Sequence, residues 1–552
     1  MNDPKPQKKV VPLLWSLGVF VSTFCFHTFA FPPFGVAEFA YALPIPAFLW
    51  LFYRQPGRTE FLRVAGGAFW LSWLVLLVWL RHVTWFGWLG LATIVAFFPT
   101  AWAVLTWWLV PKFKDGSASV RMLGILSICS VWTLIEFART FVFSGFPWLP
   151  LAASQWQRPL TLQIASWTGF YGVSFLLMFV GIVIAFYVRH LFRGRQKGWF
   201  RFCPEFLVGM IVWMFATFGV LQIKLERGER ETLFRAALIQ PYVPQPDKWD
   251  PGKSSEITSE IERQVEFQKH IGADIVVLPE AVLPYPLIGD DGMRQWAERI
   301  TDDFGGPVLM GALAAEGKSY GEDPWYNGFM ILYPNDGLAP AYYKKRQLVP
   351  YGEYIPFRNV LFFLEKMVPI GSDIFPGKSA GPLRLTTKGG PLPIGPLICY
   401  EDIFPNLAVD SVLAGALVLF VVTNDAWYGE EGAAYQHAAH SVLRAVETFR
   451  PVVRVGNGGW SGWIDEYGNI QEVLESVEGS VYFRGSEVVE VTYDPQNYQK
   501  LTFFVRHRNW FVWVCAAIVL IFLVIVRKSS TYISEDDEWE KVGEMKINVP
   551  KG

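Results

Sequence analysis

Three segments of the chain run apolar and then stop at an ionisable residue. They are Ile275-Val276-Val277-Leu278-Pro279-Glu280, then Tyr343-Lys344-Lys345 leading to Pro350-Tyr351-Gly352-Glu353, and Pro396-Leu397-Ile398-Cys399-Tyr400-Glu401. An apolar run ending this way reads as a strand whose last residue opens into a cleft, where a rigid scaffold can hold a side chain and still expose it. A carboxylate, an ammonium and a thiol so placed make an acyl-transfer set. The carboxylate takes the thiol proton, the ammonium favours the thiolate, and the same cation with a backbone N–H near Tyr400 receives the charge that appears on an attacked carbonyl oxygen. Taken singly, Glu280 or Lys345 reads as a solvated surface charge; it is the trio, in order, that carries the chemistry.

The elements that must position this set belong to two kinds of chain. Of 552 residues, 52% are apolar and only 18% charged, a balance suited to a low-dielectric setting. The net charge of −2 gives no general attraction to nucleic acid. A membrane crossing needs roughly 20 apolar residues, and such runs fall at about 11–31, 36–53, 64–80, 88–110, 122–141, 163–188, 206–223 and 509–526. The first follows Lys5, Lys8 and Lys9 like a secretory signal, but it has no small-residue cleavage site and another span follows at once, so it reads as a retained helix.

Basic residues crowd alternate loops: the N-terminus, then Arg54, Arg58 and Arg63, then Lys112, Lys114 and Arg121, then Arg189 to Arg201, and finally Arg527 and Lys528. Short cytoplasmic loops carry this excess. Both termini are therefore expected inside, and the soluble part outside, which in a bacterium is the periplasm. The expected domains are 1–224 (seven spans), 225–505 (soluble and catalytic), 506–527 (the eighth span) and 528–552, an acidic tail without structure. Within the soluble part, strands at Arg235–Gln240, Asp274–Leu278, Val308–Ala312, Asn327–Tyr333, Ala341–Lys345, Ile394–Cys399, Val418–Thr423 and Val452–Val455 alternate with helices at Ser254–His270, Gly292–Asp302 and Ala434–Thr448. That pattern predicts a layered α/β sandwich.

Five cysteines occur, four of them in or beside apolar runs, and no CxxC spacing supports a zinc knuckle or a redox dithiol. His437 and His440 stand three apart on an expected helix, but no third ligand accompanies them, so hydrogen-bonded packing is expected rather than a metal. Glu136 and Arg139 share one face of a spanning helix, where a structural ion pair is at least as good a reading as substrate contact.

The order Glu, Lys, Cys on three strand ends resembles the nitrilase superfamily. The strings Leu278-Pro279-Glu280, Lys345 to Glu353, Cys399-Tyr400-Glu401 and Asn424-Asp425-Ala426-Trp427, with Gln240, Lys248-Trp249, Gln436-His437, Arg450-Pro451 and Gly145-Phe146-Pro147-Trp148, resemble its membrane-bound branch, the apolipoprotein N-acyltransferases. The resemblance implies eight transmembrane helices joined to a nitrilase-like αββα sandwich. It implies a ping-pong reaction in which Cys399 takes an acyl chain from a phospholipid, usually phosphatidylethanolamine, and passes it to the N-terminal amine of a diacylated apolipoprotein.

Glu280 would be the base and Lys345 the oxyanion cation, oriented by Glu353. The family spacing selects Lys345 over the adjacent Lys344. Tyr400 and Glu401 would flank the nucleophile, and Trp249 and Trp427 would lie near the lipid entrance. No cofactor or metal is implied, and a monomer in the bacterial inner membrane is expected. Gln347 and Tyr351 depart from the residues most frequent in the family, which bears on substrate preference. The competing readings are a membrane-tethered amidase using water as acceptor, and a catalytically dead scaffold; an intact triad and two lipid-anchored substrates favour the transferase.

Overall fold

A computed structural model describes residues 10–193, 203–218, 229–248, 250–317, 324–356 and 374–544. Among these, Trp85–Phe113, Ala118–Ala138, Phe170–Phe192 and Trp510–Arg527 are helices long and apolar enough to cross a membrane. The other expected spans are shorter or interrupted. The run at 36–53 breaks into Phe39–Ala42 and Ile45–Tyr53 around Pro44, which lacks the N–H a continuous helix needs. The run at 64–80 is carried by Arg58–Leu76 and ends in a 3-10 turn, Val78–His82. Residues 219–223 of the seventh run lie outside the described residues. Leu13, Phe97, Phe215, Trp513 and Leu520 point outward from these helices, an apolar surface that lipid stabilises and water does not. The last helix, Trp510–Glu544, continues beyond Arg527 into the acidic stretch expected to lack structure; Glu and Lys propagate a helix already nucleated by its apolar part.

The soluble part holds two sheets. The first is built from β1 (Glu231–Gln240), β2 (Ile275–Leu278), β3 (Val308–Ala315), β4 (Trp325–Tyr333), β5 (Gly337–Leu338), β6 (Tyr343–Lys344) and β13 (Gly485–Tyr493). The second is built from β7 (Leu383–Thr387), β8 (Gly390–Ile398), β9 (Val418–Thr423), β10 (Val452–Gly456), β11 (Gly462–Ile464) and β12 (Ile470–Val473). Their orders are β13-β1-β2-β3-β4-β5, with β6 also on β4, and β12-β11-β10-β9-β8-β7. β2 and β9 pair in parallel with neighbours on both sides and are buried throughout, which is why they read as unbroken apolar runs.

Phe234, Val277, Phe329, Ile394, Phe420 and Val455 pack between the sheets. The outer face of the first sheet carries helices Ser254–Ile271 and Asp291–Phe304. That of the second carries Pro405–Leu413 and Ala433–Thr448. The result is the expected αββα layering, with one addition. Helix Ala433–Thr448 is buried along its length because its far side packs into the apolar helical half. There Gln436 Oε1 accepts from Trp79 and Trp148 Nε1 at 3.0 and 2.8 Å, while its Nε2 donates to the carbonyls of Pro32 and Leu76.

Candidate active site

The ends of β2, β6 and β8 meet. The pleat sends adjacent lysines to opposite sides. Lys344 turns outward to Glu316 (2.6 Å) and the face of Tyr326 (3.8 Å from its centre). Lys345, 1% exposed, turns inward, and its Nζ donates to Glu280 Oε1 and to Glu353 Oε1, each at 3.0 Å. Asn327, on β4, was missed from sequence: its Nδ2 donates to both of those carboxylate oxygens, at 2.8 and 2.9 Å. Backbone N–H groups of Asn424 and Val349 satisfy the second oxygens of Glu280 and Glu353. A buried asparagine in an apolar strand was the available signal, since burial demands partners for its amide.

Cys399 is expected as the last strand residue. It stands instead just past β8, at φ +51° and first in a 3-10 turn, Cys399–Ile403. The run Ile394–Ile398 is apolar to its end, so nothing in residue type marks where the backbone leaves the sheet. The thiol lies beside the Glu280 carboxylate and the Thr423 side chain, close enough for both to act on its titration.

Burial would push Glu280 up, but the charge of Lys345 and hydrogen bonds from Lys345, Cys399 and Asn327 outweigh it and hold the carboxyl below its ordinary range. Burial tends to lower Lys345, yet Glu280 and Glu353 carry it well above the usual lysine value. For Cys399, burial and then Glu280 push the thiol well up, and Lys345 only partly offsets them. The ammonium does lower the thiol, as the sequence suggests, but burial and Glu280 outweigh it. At rest the sulfur keeps its proton and Glu280 is ionised, the pairing a general base requires. A second buried ammonium, Lys248, feels the same two carboxylates, although burial brings it down to about 8.

Glu401 is fully buried and clamps the strand ends together. It accepts from Tyr343 Oη, from the N–H groups of Arg346 and Gln347, and from the N–H of Ile398. Tyr400 Oη donates to Gly145 O at 2.6 Å, and its ring stacks near Phe146. The loop following the Glu136 helix thus abuts Tyr400, the residue after Cys399. Arg139 donates to the carbonyls of Phe146 and Trp148, and Glu136 accepts from Leu151 N and Trp132 Nε1. Both charges therefore brace that loop, a structural role of the kind the sequence left open beside substrate contact.

Trp427 lines a cavity of about 510 Å³ together with Tyr242, Gln245, Gly458 and His82 of the helical half. Gln245 Oε1 accepts from Asn424 Nδ2, which ties the cavity wall to the residue whose backbone holds Glu280. Trp249 lies outside the described residues. His437 turns into a buried polar cluster with Asp402 and Asp425, while His440, also buried, accepts from the N–H of Leu149. Among the described residues, no group of three or more His, Cys, Asp or Glu is arranged to hold a metal.

An α/β sandwich with a cysteine, a carboxylate and a lysine at its strand ends is joined here to an apolar helical half, and known families match both parts. Residues 25–183 match the apolipoprotein N-acyltransferase N-terminal domain, and residues 235–485 match the carbon-nitrogen hydrolase domain. An apolipoprotein N-acyltransferase of Geobacter metallireducens is 27% identical over 511 residues, covering 91% of this chain and 93% of its own. One from Allorhizobium ampelinum is 30% identical over 486 residues, covering 82% and 87%. Among solved structures, a mutant of the Nesterenkonia AN1 amidase from the nitrilase superfamily superposes with a TM-score of 0.37 at 19% identity, over 51% of this chain and 98% of that one. The chain belongs to the apolipoprotein N-acyltransferase family.

Proposed function

We propose that this protein transfers a fatty acyl chain from a phospholipid to the N-terminal α-amine of the diacylglyceryl-cysteine of apolipoproteins, through a thioester on Cys399. Family membership supports the reaction class. The observation that carries the mechanism is the convergence of Cys399, Glu280 and Lys345 in one buried cluster. Glu280 takes the thiol proton as sulfur attacks the donor ester. Lys345 and the Tyr400 N–H receive the oxyanion, and collapse expels the lysophospholipid alkoxide, which regains the proton from Glu280. In the second half the acceptor amine attacks the thioester, Glu280 removes its proton, and the sulfur leaves and is reprotonated. Glu353 with Asn327 holds Lys345 and Glu280 in register, and Glu401 fixes the ends of the strands that carry them.

Phosphatidylethanolamine is the proposed donor, and the cavity beside Trp427 is where the lipid-anchored substrates approach. The helices form an eight-span domain (1–224 and 506–527) in a bacterial inner membrane. Both termini are cytoplasmic, and residues 225–505 act as a monomer's catalytic domain on the periplasmic side. Burial of the thioester favours transfer over hydrolysis. The test is acyl transfer to a diacylated lipopeptide by purified protein. Cys399→Ala and Cys399→Ser are expected to abolish it while the protein remains folded; full activity in Cys399→Ala would overturn the proposal.

A further inference from the structure

His437 takes no part in the chemistry above, yet it lies against the backbone of the nucleophile. Its Nδ1 is 3.0 Å from Asp425 Oδ1, and its Nε2 is 3.1 Å from the carbonyl oxygen of Cys399 and 2.9 Å from Asp402 Oδ1. These neighbours are acceptors only, so each ring nitrogen must carry a proton, and the ring is an imidazolium. His440, one turn on, shows the opposite arrangement: its Nε2 accepts from the N–H of Leu149 at 3.3 Å. Arg454 completes the cluster, donating to Asp402 Oδ2 at 2.8 Å and to Asp425 Oδ2 at 3.3 Å. Burial and Arg454 push His437 down, but Asp402 and Asp425 prevail and carry it up to about 9.

The carbonyl that His437 grips belongs to the Cys399–Tyr400 peptide. In a planar trans peptide the C=O and N–H point in opposite directions, so fixing the oxygen fixes where the Tyr400 N–H aims. That N–H lies in the first turn of a helix and has no intrahelical acceptor. Cys399 holds a left-handed φ of +51°, a conformation strained for a non-glycine residue and kept only when its surroundings enforce it. We propose that His437 is a positioning residue whose imidazolium anchors the Cys399 carbonyl and so aims the Tyr400 N–H at the oxyanion. This rests on the acyl-transfer reading of the site.

The test compares two reactions at Cys399 in purified protein: thioester formation from phosphatidylethanolamine, which passes through an oxyanion, and alkylation by iodoacetamide, which does not. An asparagine amide reaches only the Nδ1 position, whereas a glutamine amide reaches the Nε2 position facing the carbonyl. His437→Asn is therefore expected to slow thioester formation by about 10²–10³-fold, the range for losing one oxyanion donor, with alkylation changed only a few-fold. His437→Gln is expected to recover much of the loss. Parallel losses in both reactions, or equal rates in the two variants, would overturn the proposal, because a purely structural role predicts either. Should neither variant fold, nitrogen NMR of isotope-labelled histidine in the unaltered protein decides, and a neutral His437 at neutral pH refutes the inference. Cys399→Ala serves as control: if it still transfers acyl chains, the reading of the site fails, whereas a dead Cys399→Ala beside a fully active His437→Asn removes only this inference.

Discussion

At the scale of single residues, the site separates a carboxylate kept charged from a thiol kept neutral. Glu280 is held below its ordinary range by Lys345, so it stays ionised above about pH 4.5, the usual glutamate region. The stability it lends through Lys345 is present above that region and is lost as pH falls through its lower folded value. Thioester formation from the phospholipid, the half-reaction in which no amine takes part, is accordingly expected to show no acid limb between about pH 5 and 7, which a rate profile in detergent checks. Cys399 is pushed the other way, by burial and by Glu280. Its thiolate fraction therefore grows about tenfold per pH unit below its raised value, and alkylation of Cys399 should rise by that factor from pH 7 to 8. A rate already at its plateau at pH 7 would mean a preformed thiolate and would contradict the general-base role.

At the scale of elements, the strands aim the chemistry, and small side chains let them approach. A Cβ on Gly311 of β3 would lie 2.6 Å from Glu280 Cα and 3.0 Å from Pro279 O, backbone atoms with little freedom to yield. Gly311→Ala is thus expected to displace the carboxylate and cut transfer by about 10²-fold, the scale of a misplaced catalytic group, with much less effect on thermal stability. β2 and β9 were legible in the sequence because both faces of each are buried and every residue but the terminal Thr423 is apolar. β13 was not. Glu487 and Glu490 interrupt its apolar residues, and what makes it a strand is antiparallel pairing with β1, more than two hundred residues away in sequence. Likewise Glu280 and Lys345 announce themselves at the ends of apolar runs and Cys399 does so one step past its strand, while the partners of Asn327 and His437 are distant in sequence, so their contacts could not be read locally.

At the scale of the whole molecule, the two halves are one structure. Gln436 binds two tryptophan N–H groups and two carbonyls of the helical half, the Tyr400 hydroxyl reaches the Gly145 carbonyl, and Glu447 accepts from the N–H of Phe170. Removing the Gln436 amide strands several buried polar groups at about 1–3 kcal/mol each. Gln436→Ala is therefore expected to lower the melting temperature of the whole protein in detergent, whereas an unchanged transition would show that the junction does not bind the halves together. A catalytic sandwich braced against apolar helices suits substrates that never leave a bilayer, and the proposed mechanism requires the acyl chain to ride on the Cys399 sulfur between them. The most direct measurement is intact-mass spectrometry of the purified protein after incubation with phosphatidylethanolamine and no acceptor. The account predicts a hydroxylamine-labile adduct one acyl chain heavier, mapped to Cys399 and discharged by a diacylated lipopeptide; an adduct on another residue, or donor turnover with no adduct and no need for Cys399, would contradict it.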